Sequence, residues 1–163
     1  MRKIRTMILS SIACTLLLTG CNNSSKNNEE QLLKVYSFSG ENEYISVSNG
    51  IIILENQEEI CYGGDLKVMS DDFNDITKYS TTIYINGNKK DPLLSKNVND
   101  HTGGTLNVNG KIGIISGDVF KENELNQLNE GLWLELKTIN MDGKQKMYTL
   151  PLKTIEITEE VKK

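Results

Sequence analysis

Beyond residue 34 the chain is a succession of short apolar runs rich in Val, Ile, Thr and Tyr, cut by Gly, Asn and Asp at intervals suited to strands rather than helices. The pattern predicts strands at 34–39, 44–48, 51–55, 59–62, 65–70, 77–86, 104–108, 111–115, 132–139 and 146–158. Between residues 132 and 137, Leu132, Leu134 and Leu136 take one face and Trp133, Glu135 and Lys137 the other, as in a sheet with one wet side. Asn109-Gly110 and Asp142-Gly143 separate alternating runs and tolerate the positive φ of tight turns, so each predicts a hairpin. After the second turn Tyr148, Leu150 and Leu152 keep one phase, and Ile155 and Ile157 take the opposite one. That reversal predicts a bulge or a change of sheet between Pro151 and Thr154, with Pro151 near an edge. Helical spacing occurs only from Val119 to Leu128, with Asp118 as cap and Gly131 as stop, and a loop with one helical turn fits the same residues. The fold class is therefore all-β, an antiparallel β-sandwich over 34–159 with a tail at 160–163.

The first twenty residues have another organisation. Arg2, Lys3 and Arg5 precede a mostly apolar run from Met7 to Leu18, the layout of a cleaved secretory signal. A spanning helix needs roughly 20 apolar residues, so this run reads as a targeting signal rather than a permanent anchor. Leu18-Thr19-Gly20-Cys21 resembles the lipobox of bacterial lipoproteins, an aliphatic residue, a small or hydroxyl residue, Gly or Ala, then Cys. The resemblance implies cleavage between Gly20 and Cys21, a diacylglycerol on the Cys21 thiol and an N-acyl lipid on its amine, with no other cofactor. Several acyl chains on one residue give durable attachment where a single chain holds only reversibly. The expected location is the extracytoplasmic face of the cell membrane.

Asn22 to Gln31 reads NNSSKNNEEQ and holds no apolar residue, so it cannot offset the entropy of ordering. Residues 21–33 are thus expected to be a lipidated N-terminus and flexible tether, of reach roughly 17 Å from random-coil scaling. Of 18 basic and 22 acidic residues in the chain, three basic ones lie in the signal, which leaves 15 against 22 and a net charge of −7 after cleavage. Without a basic stripe, nucleic acid is not an expected partner, and attachment to the membrane is expected through the lipid alone. Cys14 falls in the signal and Cys21 is the lipid site, so Cys61 is left as a small buried hydrophobe with no intramolecular disulfide partner.

The segments Tyr36-Ser37-Phe38-Ser39-Gly40-Glu41, Ile45-Ser46-Val47-Ser48-Asn49-Gly50 and Tyr62-Gly63-Gly64-Asp65-Leu66 resemble those of small lipoproteins from low-GC Gram-positive bacteria that carry an immunoglobulin-like β domain. The likeness covers residues 35 to 157 loosely. It implies an immunoglobulin-like sandwich and names no activity.

Candidate chemistry is sparse. His101 is the only histidine and reads as a solvated loop residue; a hydrolase would have to join it to groups such as Ser116 and Asp118, for which no local signature exists. Asp71, Asp72, Asn74 and Asp75 offer hard oxygen ligands, but Ile76 and Thr77 stand where a calcium loop needs a ligand and a glycine, so an acidic turn is expected and no metal. Gly63-Gly64 and Gly103-Gly104 lack the Lys-Ser/Thr of a phosphate loop and read as bulges or turns. Trp133, on the wet phase of its strand, is the candidate contact residue, and partial burial is expected for it. The expected function is a lipid-anchored, non-enzymatic module that binds an envelope or extracellular protein. The alternatives are a surface hydrolase using His101 and a structural or immunity-type lipoprotein.

Overall fold

A computed structural model describes residues 33–55, 58–85, 92–120 and 122–158. The signal, the Gly20–Cys21 bond, most of the tether and the 160–163 tail lie outside the described residues.

The strands are β1 (Leu33–Glu41), β2 (Ile45–Glu55), β3 (Glu58–Tyr62), β4 (Asp65–Val68), β5 (Ile76–Ile85), β6 (Pro92–Asn99), β7 (Gly110–Lys111), β8 (Ile114–Gly117), β9 (Leu132–Asn140) and β10 (Gln145–Glu156). All pairings are antiparallel, in the order β6-β5-β9-β10-β1-β2-β3-β8, with β4 between β2 and β7. The domain is all-β, and β10 is its pivot. Residues Gln145 to Leu152 pair with β9, whereas Lys153 to Glu156 pair with β1, so the strand changes partner between Leu152 and Lys153. The change falls inside the predicted interval. It divides the sheet into a first limb (β1 to β4, β7, β8) and a second limb (β5, β6, β9), both of which send side chains into one core.

Leu132, Leu134, Leu136, Leu150 and Leu152 are buried from the second limb, and Tyr36, Phe38, Ile52 and Cys61 from the first. The predicted alternation in β9 is thus the observed one. The free edges approach each other on the far side. Lys96, on the inward phase of edge strand β6, donates from Nζ to the Lys111 carbonyl at 2.7 Å. An inward lysine also blunts an edge against pairing with another chain.

Three strands bend along one crease. Asn49 has φ 58° inside β2, Gly64 has φ 80° between β3 and β4, and Gly113 has φ 147° between β7 and β8. Hydrogen bonds from Gly63 N to Gly113 O (2.9 Å) and from Ile112 N to Gly64 O (3.0 Å) hold the bend together. Gly63-Gly64 is therefore a kink, as its composition predicts. At the same crease β2 exchanges β4 for β3 as its partner, so the two strands expected at 44–48 and 51–55 are one continuous strand.

Other differences have local causes. No strand was expected at 92–99, yet β6 forms there: Pro92 occupies its first position, where the missing N–H is tolerated, and its outward Ser95, Asn97 and Asn99 hide the alternation. Residues 104–108 form no strand and Asn109-Gly110 is not a hairpin. The segment instead crosses between limbs, with Leu106 N bonded to Ile76 O (2.6 Å) and Asn109 Oδ1 accepting from Val68 N (2.7 Å), while Val108 enters the core. A side-chain amide has replaced the ladder, a competition to which Asn is prone. The expected helix at 119–128 is one turn, α1 (Glu122–Leu125), then a 3-10 turn over Leu128–Glu130. Glu59 Oε2 fixes its approach by accepting from Val119 N and Phe120 N, each at 2.7 Å. Gly131 ends it at φ 95°. The Asp142-Gly143 hairpin forms as predicted, with Gly143 at φ 75° and Asn140 N bonded to Lys144 O.

Candidate functional site

The second limb buries one face and exposes the other. Register places Tyr84 of β5 opposite Trp133 of β9, Trp133 opposite Pro151 of β10, and Tyr84 opposite Pro92 of β6. Trp133 is 39% exposed, so its ring is partly covered and partly open to solvent, and the two prolines beside this pair are exposed. One pleat further along, Ser95, Thr82, Glu135 and Thr149 align, and the Thr82 and Ser95 hydroxyls lie 3.3 Å apart. Glu135 is buried although it points outward, and it holds Lys137 Nζ at 2.7 Å. That carboxylate raises the Lys137 ammonium above its ordinary range. Beyond the pair opens a depression of about 410 Å³, lined in part by Lys78, Ser80, Asn97, Lys137, Gln145 and Met147.

The acidic turn has a different character. Ser70 Oγ caps a 3-10 turn by accepting from Asp72 N. Asp72 then pairs with Lys146 (2.8 Å) and accepts from Tyr148 Oη (3.3 Å), and Asp75 accepts from Asn140 Nδ2 (3.0 Å). Lys146 above all, then Tyr148, keeps the Asp72 carboxyl below its usual range. A neighbouring depression of about 290 Å³ also receives Lys144 and Lys146. The Asp72 and Asp75 carboxylates are thus turned toward separate partners, and among the described residues no three His, Cys, Asp or Glu groups gather as a metal site.

His101 is exposed, and its ring meets the Asn99 amide at 3.5 Å. Its neighbour Asp100 builds the loop, accepting from Thr102 N, Thr102 Oγ1 and Gly104 N, contacts that lower its own carboxyl. Ser116 lies in β8 opposite Ile60, and neither Ser116 nor Asp118 is hydrogen-bonded to His101. Cys61 is fully buried and free, and desolvation pushes its thiol up to about 12, where it is inert as a nucleophile at neutral pH.

Of the candidate site residues singled out in the sequence, Asp72 and Asp75 are engaged by Lys146, Tyr148 and Asn140, whereas Trp133 stands in the exposed row of rings. Its neighbours Tyr84, Pro92 and Pro151 were not legible as a group, because cross-strand register joins them and sequence proximity does not. Among the described residues no helix is long and apolar enough to cross a membrane. No protein-family model, curated protein or solved structure matches the chain.

Proposed function

We propose that the chain is an exported lipoprotein, held on the extracytoplasmic face of the membrane through lipids on Cys21, whose all-β domain is an immunoglobulin-like sandwich serving as a non-enzymatic binding module for an envelope component. The observation that carries this reading is Leu18-Thr19-Gly20-Cys21 behind a basic cap and a short apolar run. The exposed imidazole of His101, which meets the Asn99 amide, and the inert thiol of Cys61 support the non-enzymatic part. A rigid four-stranded face bearing a half-open tryptophan supports the binding part.

The test is metabolic labelling with radioactive palmitate followed by detergent phase partition, for the wild type and Cys21→Ser. The wild type is expected to carry label and enter the detergent phase, and the variant to do neither. A Cys21→Ser chain that still partitions with membranes refutes the anchor.

A further inference from the structure

The row Pro92–Tyr84–Trp133–Pro151 places a ring side chain on each of four adjacent strands. At roughly 4.8 Å between strands, three steps make a row about 14 Å long. The rings stand on a ladder whose inward side is packed by Ile83, Leu134, Leu136 and Leu150, all fully buried, so their placement is set before any ligand arrives. The next pleats bring the hydroxyls of Ser95, Thr82 and Thr149, then the amides of Asn97 and Gln145 bordering the open depression.

We propose that this face is a glycan-binding platform whose ligand is a β-1,4-linked pyranose strand of the cell's own wall. The proposal rests on the export reading for the source of the ligand. A pyranose ring has an apolar C–H side, slightly positive, which suits the negative face of an aromatic ring. Its rim carries hydroxyls that both donate and accept, as Ser, Thr, Asn and Gln side chains do. A β-1,4-linked strand is extended, so one strand lies along the row of rings and keeps its rim groups toward the polar pleats.

The charges favour this ligand over an anion or a protein. Lys137 is neutralised by Glu135 and Lys146 by Asp72, which leaves Lys78 as the one ammonium at the depression without an ion pair among the described residues. A protein hot spot needs an apolar, desolvated centre. Here the apolar groups form a single row, and the pleats beside it are mainly polar.

Trp133 is the only tryptophan of the chain, so intrinsic tryptophan emission reports this face and nothing else. The full chain, in detergent micelles, is titrated with β-1,4-linked N-acetylglucosamine and glucose hexamers, with an α-1,4-linked glucose hexamer as linkage control. Sedimentation with insoluble wall glycan and with cellulose follows. The N-acetylglucosamine hexamer is expected to shift emission to the blue and to reduce acrylamide quenching roughly twofold, as a ring covered by ligand requires. Tyr84→Ala weakens binding about tenfold, the factor matching a lost stacking contact, and Trp133→Ala removes co-sedimentation with wall glycan. Trp133→Phe keeps part of it, and Ile114→Ser on the far edge strand keeps all of it. Urea midpoints establish that each variant is folded.

Unchanged emission and quenching at millimolar hexamer, or equal sedimentation of the wild type and Trp133→Ala, overturns the proposal. Equal response to the α-linked hexamer overturns the linkage, and binding to cellulose alone overturns the wall as source. Sugar binding by a chain that does not partition with membranes sinks the anchor and leaves the platform. Partition without sugar binding sinks the platform alone.

Discussion

The crease across β2, β3–β4 and β7–β8 makes a quantitative prediction through two glycines that share a backbone conformation and differ in surroundings. Gly64 has φ 80° and Gly143 has φ 75°. A Cβ on Gly143 would meet open space, whereas one on Gly64 would lie 2.3 Å from Ser48 O and 2.8 Å from Gly50 N, both backbone atoms of the neighbouring strand. Gly143→Ala therefore measures the left-handed backbone alone. That conformation costs an L-residue about 1–2 kcal/mol, offset by about 0.4–1 kcal/mol from the stiffer unfolded chain, for a net loss of roughly 1 kcal/mol. Gly64→Ala carries the same backbone term and must also push β2 away from the kink. Overpacking of that kind costs about 1–3 kcal/mol more, so the expected loss is about 2–4 kcal/mol. Urea unfolding followed by far-UV dichroism measures both, and an unchanged m-value shows that the unfolded states remain comparable. If the two variants agree within about 0.5 kcal/mol, the crease yields freely and the close approach at Gly64 does not constrain the fold.

Two further outcomes follow from buried groups. Because the folded Cys61 thiol is raised from its ordinary 9.0 to about 12, its contribution to stability is complete below pH 9 and falls as pH rises from 9 toward 12, by about 1.4 kcal/mol per pH unit. The stability difference between the wild type and Cys61→Ala should therefore shrink between pH 8 and pH 10, and parallel pH curves would contradict the burial of this thiol. Thr81 Oγ1 is buried with no hydrogen-bond partner, so Thr81→Val, which keeps the shape and removes the hydroxyl, should raise stability by about 1 kcal/mol in the same urea assay. A loss of stability there means that the hydroxyl is solvated in the folded protein.

Where a strand alternates apolar and polar residues, its orientation was legible. β9 is the clear case: Leu132, Leu134 and Leu136 face the core because Trp133, Glu135 and Lys137 mark the other side. In the first limb the marks are missing. Ile51-Ile52-Ile53-Leu54 is apolar throughout, and structure alone shows Ile52 fully buried while Ile51 and Ile53 are only half-buried. Ile51 lies in a cross-strand line with exposed Tyr62 and Ile114, and Ser37 continues that line to exposed Ile155. Burial on both phases leaves no periodic signal to read. The phase reversal after Leu152 was legible because one strand serves two sheet limbs, whereas β6 was hidden by polar residues suited to its edge position. The candidate face was legible only as Trp133, since its partners come from three other strands.

The chain contains two prolines and one tryptophan, and all three lie in the same cross-strand row. Backbone chemistry limits where those prolines can be. A proline inside a ladder removes a donor, so it is accommodated at a strand's first residue or along an unpaired side. Pro92 opens edge strand β6. Pro151 lies on the part of β10 whose ladder pairing is with β9 alone, because β1 pairs only from Lys153; on the side away from β9 Gly40 packs against the Pro151 carbonyl and the Thr149 carbonyl accepts from Asn42 Nδ2 at 3.1 Å. The partner exchange in β10 thus creates the position in which Pro151 can flank Trp133, and the edge status of β6 creates the one in which Pro92 can flank Tyr84. Replacing either proline with an ordinary residue would add an N–H donor to the backbone and would shorten the row of rings at one end. The backbone accommodates both proline rings, and with Tyr84 and Trp133 they form the outward surface that distinguishes this face.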